Sequence, residues 1–191
     1  MITEMYLRGV FLIEPKVFGD TRGYFFESYN KKEMNEAVGR CNEFVQDNRS
    51  YSMFGTLRGL HFQKPPHAQA KIVTVLKGRV LDVAVDIRKG SPTFGKHIAV
   101  ELTEENKLQI YIPRGFAHGF VVLSESAEFF YKCDNGYEPA SEEGIAYNDS
   151  ILGIDWGIPH DQLVISEKDK RWRSLGELDA PFYYEEQMYG T

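Results

Sequence analysis

The chain has 191 residues, 42% of them hydrophobic and 14% aromatic, which is enough for one domain with a packed core. Its net charge is −6 and its pI about 5.4, so the broad basic face of a nucleic-acid binder is excluded while one basic pocket for a small anion is not. The two cysteines, Cys41 and Cys133, lie far apart, which argues against a disulfide framework and a structural zinc site.

The first stretch, MITEMYLRGVFLIEP, has a short apolar run but no basic start, long apolar core or small-residue cleavage site. No run of about 18 apolar residues is present to span a bilayer. The expectation is a cytoplasmic protein with no membrane partner. Asn30 precedes Lys31-Lys32-Glu33 as an N-cap with an acidic residue at the third position, and Gly39 is placed to end that short helix.

TLRGLHFQ, Thr56 to Gln63, reads as a strand carrying both an arginine and a histidine. Strict alternation puts His61 on one face with Leu57, Gly59 and Gln63, and Arg58 on the other. A bulge at Gly59 would bring both inward. Lys71 opens the next apolar run on the same face as Val73 and Val75. Ile72–Leu76 and Arg79–Ile87, joined by Lys77-Gly78, read as a hairpin. Leu81, Val83, Val85 and Ile87 share one face of its second strand; Asp82 and Asp86 fall on the other, with Val80 and Ala84 between them. That mixed face suits a sheet covered on both sides.

Lys96–Leu102 and Leu108–Pro113 alternate as strands around a polar TEEN turn. Gly119–Leu123 and Glu128–Cys133 are further strands. A short helix is expected within Ser166–Trp172. The segment from Pro181 reads as a surface tail. Turns every ten or so residues predict an all-β jelly roll or related barrel with one or two short helices, open at one end for a pocket.

Several polar residues suit such a pocket, though each has an ordinary alternative. His61 is either a satisfied histidine or a base, and Lys71 a solvated strand end or a cation for an oxyanion. Tyr131 is a core aromatic or a proton donor. Asp169, three residues after Ser166, is a helix-start carboxylate or the partner that fixes the tautomer of His61. His118, in IPRGFAHGF, lacks the neighbouring histidines and carboxylates that a metal site needs, and His67 sits in a proline-bounded loop, so metal is disfavoured.

In order and spacing, GVFLIEPKVFGDTRGYFFESY, FVQDN, LRGLHFQ, QAKIVTVLKGRVLDVAVDIRKGSPTFG, IPRGFAHGF, YKCDNGYEPASEEGIAYND and ISEKD resemble the dTDP-4-dehydrorhamnose 3,5-epimerase family of the cupin superfamily. The resemblance implies a single cupin-like epimerase domain over residues 1–191, with a tail after about 181. It implies inversion at C3 and C5 of a dTDP-4-keto-6-deoxyhexose without metal or cofactor. His61 would be the base, Asp169 its partner, Lys71 the enolate-stabilising cation and Tyr131 the opposite-face acid. Arg58, Gln46 and Asn48 would bind the nucleotide diphosphate, His118 would line the pocket, and Tyr137 would stack near the nucleotide. It further implies a homodimer, in which Phe18, Arg22 and Glu27 reach the nucleotide end of the partner's site. The alternatives are an epimerase acting at one carbon only, or a cupin that binds sugar nucleotides without catalysis. A ketoisomerase or a metal-dependent oxygenase of the same superfamily fits the motif set less well.

Overall fold

The computed structural model describes residues 1–40 and 42–185, so Cys41 and the end of the chain after Glu185 lie outside the described residues. In chain order the strands are β1 (Ile2–Glu4), β2 (Phe11–Ile13), β3 (Phe18–Asp20), β4 (Gly23–Phe25), β5 (Gln46–Met53), β6 (Thr56–Gln63), β7 (Lys71–Lys77) and β8 (Arg79–Asp86). They continue with β9 (Arg88–Lys89), β10 (His97–Thr103), β11 (Gln109–Ile112), β12 (Phe116–Val122), β13 (Ser126–Cys133), β14 (Glu142–Gly144), β15 (Val164–Ile165) and β16 (Phe182–Tyr183). The α-helix, α1, is Lys31–Val38. The Asn30 side chain accepts from the amides of Lys32 and Glu33 at 3.0 and 3.2 Å, and Gly39 closes it with φ 70°.

Two sheets face each other. One runs β1-β2-β11-β7-β13-β5; the other runs β10-β8-β12-β6-β14, with β15 alongside β6. This is the expected cupin-like jelly roll. One local expectation fails. β7 and β8 are not a hairpin: β7 pairs with β11 and β13, whereas β8 pairs with β10 and β12. The Lys77-Gly78 link carries the chain from one sheet to the other. Gly78 has φ 79°, and a Cβ there would come 2.1 Å from the Ser126 carbonyl oxygen, so neither backbone nor space allows a side chain.

Alternation along each strand sorts the side chains into three layers. Val73, Val75, Ile110, Ile112 and Phe129 meet Val80, Ala84, Ile98, Phe120 and Val122 between the sheets. Behind the second sheet, Val83, Val85 and Val121 pack on Leu152, Trp156 and Leu175. Behind the first, Ile13, Ile72 and Tyr111 receive Met34 and Val38 of α1. Both faces of β8 are therefore covered, as its sequence predicts. Each fully buried aliphatic or aromatic side chain contributes about 1.5–3 kcal/mol.

The predicted second helix shrinks to one 3₁₀ turn, Asp169–Arg171, held by the Asp169 amide donating to Ser166 Oγ at 3.1 Å. The segment read as a tail begins with β16, which pairs in parallel with β9.

Candidate active site

Between the sheets, bordering the apolar layer at Phe120 and Phe129, lies a cavity of about 830 Å³. Its walls come from both sheets. His61, Arg58 and His118 stand on β6 and β12; Lys71, Tyr131, Gln46 and Asn48 stand on β7, β13 and β5. Asp169 enters from the 3₁₀ turn and Tyr137 from a loop. All nine residues line one space, although they are spread over more than 120 positions of sequence.

The bulge expected at Gly59 is present. His118 pairs with His61 and Phe120 with Arg58, so β6 spends one more residue than β12 across this step. Arg58 and His61, three apart, thereby reach the same cavity.

His61 and Asp169 touch: Nε2 lies 2.6 Å from Asp169 Oδ1. The Asp169 side chain is 4% exposed. Trp172 Nε1 donates to the same oxygen at 3.3 Å, and its ring meets the imidazole edge-on at 6.0 Å. Burial pushes the Asp169 carboxyl up, but the hydrogen bond and charge of His61, with the Trp172 bond, outweigh this and hold it below the usual carboxylate range. Asp169 is therefore an ionised acceptor. With Nε2 committed to it, Nδ1 of His61 is the nitrogen left for a ligand.

On the opposite wall, Lys71 Nζ sits 5.8 Å from the centre of the Tyr131 ring. Burial lowers the Lys71 ammonium below its ordinary value, against the charges of Cys133, Asp82 and Glu142. Burial raises the Tyr131 phenol, and Arg58 only partly offsets it. The arrangement thus sets a histidine–carboxylate pair on one wall against a cation and a protonated phenol on the other. At the mouth, Arg58 Nε donates to Ser52 Oγ at 3.2 Å, Gln46 Nε2 donates to Asn48 Oδ1 at 2.9 Å, and the Tyr137 hydroxyl donates to Glu142 Oε2 at 2.7 Å.

Phe18, Arg22 and Glu27 do not join this cavity. Phe18 and Arg22 belong to the exposed β3–β4 hairpin, where Arg22 pairs with Asp20; Glu27 accepts from Asn30 Nδ2 at 3.2 Å. The sequence reading missed two carboxylates. Glu142 lines the cavity and pairs with Lys168 at 2.8 Å. Asp82, fully buried, lies 2.8 Å from His118 Nε2. The signal for Asp82 was a carboxylate midway along a strand apolar on both faces. Among the described residues, no group of three or more His, Cys, Asp or Glu is arranged to hold a metal ion.

Jelly-roll fold and cavity together define a cupin-like carbohydrate epimerase. The family described as dTDP-4-dehydrorhamnose 3,5-epimerase matches residues 4–177. The Shigella flexneri protein of that name is 56% identical over 170 residues, 89% of this chain and 93% of its own length. The crystal structure of the Elizabethkingia anophelis enzyme shares 55% identity with a TM-score of 0.90, covering 93% of this chain and 97% of its own. The dTDP-6-deoxy-D-glucose-3,5-epimerase of Legionella pneumophila, solved with dTDP-4-keto-L-rhamnose, shares 48% identity with a TM-score of 0.92, covering 97% and 98%. This chain belongs to the dTDP-4-dehydrorhamnose 3,5-epimerase family.

Proposed function

We propose that the protein converts dTDP-4-dehydro-6-deoxyglucose into dTDP-4-dehydro-L-rhamnose by inverting C3 and C5, a step in dTDP-L-rhamnose biosynthesis. Both carbons flank the C4 ketone, so a proton taken from either leaves an enolate. Returning a proton to the other face inverts the centre. His61, through Nδ1, is the base, and Asp169 fixes its tautomer and steadies the imidazolium that forms. Lys71 stabilises the enolate oxygen. Tyr131, on the far wall, delivers the proton at C5. Arg58 holds the diphosphate, with Gln46, Asn48 and Tyr137 around the nucleotide and His118 beside the sugar.

The observation that carries this reading is the 2.6 Å contact of His61 with Asp169, facing Lys71 and Tyr131 across one cavity. Base and acid on opposite sides of a ring are what inversion requires.

We further infer a cytoplasmic homodimer of single-domain subunits. The β3–β4 hairpin supports it, since Phe18, Tyr24 and Phe25 are 54, 63 and 71% exposed in one chain. In the dimer this arm brings Phe18, Arg22 and Glu27 to the nucleotide end of the partner's cavity.

The deciding experiment is incubation with the 4-keto sugar nucleotide in heavy water, read by NMR, with a reductase to trap the product. Deuterium at C3 and C5, and dTDP-L-rhamnose after reduction, is the expected result. Label at one carbon alone would replace the double epimerase by a single-centre enzyme, and no label despite dTDP binding would leave a binding protein.

A further inference from the structure

The cavity holds a second histidine–carboxylate pair. His118 and His61 are direct partners across β12 and β6, and each commits Nε2 to an aspartate. The two aspartates differ. Asp169 lines the cavity, whereas Asp82 is fully buried on β8 behind His118. Asp82 Oδ2 takes the histidine bond, and Oδ1 is a buried oxygen without a hydrogen-bond partner. Leaving a buried carboxylate half-satisfied costs stability, so its retention asks for a functional reason.

A carboxylate accepts, so Nε2 of His118 carries the hydrogen. Nδ1 has no hydrogen bond to any described residue, in a ring that lines the cavity. Burial drives His118 below the ordinary imidazole value, and Lys71 and His61 add to this against the pull of Asp82. The ring is thus neutral, with a lone pair on Nδ1. The ring also stacks on Phe129, centroids 6.2 Å apart, which restricts its tilt.

We propose that Asp82 is a positioning residue, which locks His118 in the Nε2–H tautomer so that Nδ1 accepts a hydrogen bond from a hydroxyl of the sugar. This rests on the epimerase reading above. The tautomer has a consequence for substrate orientation. An Nδ1 lone pair repels a ketone or enolate oxygen but takes a hydroxyl hydrogen. The sugar is thereby turned with its hydroxyl to His118 and its ketone to Lys71, the one arrangement in which the cation meets the developing negative charge. The Asp82 charge also favours the protonated form of Lys71.

The test is a proton–nitrogen correlation spectrum of protein labelled with ¹⁵N-histidine. The chain has five histidines, and His118→Gln assigns the signal. The expected wild-type signature is the Nε2–H tautomer at neutral pH. In Asp82→Asn an amide hydrogen can face Nε2, so the tautomer becomes mixed or reversed. That variant should lose about 10- to 100-fold in kcat/KM, chiefly through KM, with dTDP affinity unchanged because His118 meets the sugar and not the nucleotide. An Nδ1–H or doubly protonated His118 in the wild type would overturn the proposal. So would an Asp82→Asn enzyme with unaltered kcat/KM, or one that loses dTDP binding and thermal stability in step with turnover. Should that variant fail to fold, the wild-type spectrum decides. A wild-type protein that shows the Nε2–H tautomer but labels neither carbon in heavy water would overturn the epimerase reading and the hydroxyl contact with it, and leave the tautomer lock standing.

Discussion

Gly59 and Gly119 are in backbone contact: a Cβ built on Gly59 would lie 2.5 Å from the Gly119 Cα. Gly59 also has φ 142°, which side chains rarely adopt. The contact permits the bulge that turns Arg58 and His61 into the same cavity. Gly59→Ala should therefore cost about 2–4 kcal/mol in chemical denaturation and most of the activity. Gly136→Ala, where a Cβ meets nothing within 4 Å, serves as control and should fall within about 0.5 kcal/mol of wild type. Equal behaviour of the two variants would show that the bulge does not depend on the missing side chain.

Tyr131 and His61 occupy opposite walls, and their variants should differ in kind. If His61 is the base, as proposed, His61→Ala should show no deuterium uptake at either carbon. Tyr131→Phe keeps the base and the cation but has no phenolic proton to return. It should still wash deuterium into C3 while C5 inversion falls by about 100-fold or more. Equal losses at both carbons, measured by time-resolved NMR, would remove the acid role.

Lys71 makes a prediction about the alkaline limb of the rate profile. In the proposed role the ammonium is the working form, and burial lowers it below the ordinary lysine value of 10.5. The rate should thus fall at a lower pH than an exposed lysine would give. Burial moves the Tyr131 phenol the other way, upward from 10.0. Lys71→Arg stays protonated throughout and should push the limb upward at reduced rate, while Lys71→Met should cost about 100- to 1000-fold. A limb unmoved by the arginine would assign it to another group.

Where function resides in local pattern, the sequence was readable. TLRGLHFQ coincides with β6, and the cap residues Asn30 and Gly39 bound α1. β5 escaped because QDNRSYSM has almost no apolar residue: it is an edge strand that presents Gln46, Asn48 and Ser50 to the cavity and not to a core. The β7–β8 crossing escaped because a two-residue Lys-Gly link has the same composition in a hairpin and in a sheet change. The His61–Asp169 pair spans 108 positions, and only the family resemblance joined it. Asp82 was visible as a polar residue on an apolar strand, but its partner His118 lies on another strand, 36 positions away, and strand pairing is not written in alternation.

The β3–β4 hairpin tests the proposed dimer. Its aromatic side chains stand in solvent in one chain, and a second subunit would cover them. Replacing Phe18 and Phe25 by serine should weaken self-association in sedimentation and raise the Kd for dTDP together, with little change in monomer stability, because both are exposed here. A wild-type protein that sediments as a monomer at the concentration where it is active would remove the exchanged arm from the site.

Asp86 and Arg88 give the fold an acid-sensitive joint away from the cavity. Arg88 Nη2 and Nε reach the carboxylate at 2.6 and 2.9 Å, and Ser91 and Thr93 donate to it at 2.6 and 2.7 Å. The guanidinium lies 4.4 Å from the Phe116 ring centre and 5.0 Å from that of Tyr184. Burial alone would raise Asp86, but Arg88 and Ser91 hold it below the usual carboxylate range. A depressed folded-state value means that the stabilisation is present above the unfolded carboxylate range and is lost as pH falls through the folded value. Thermal stability should then decline on acidification below about pH 4. Asp86→Ala removes the carboxylate that pairs with the buried Arg88 guanidinium and should cost about 3–5 kcal/mol at neutral pH, with a shallower acid decline than wild type. Parallel declines in the two proteins would place the acid sensitivity elsewhere.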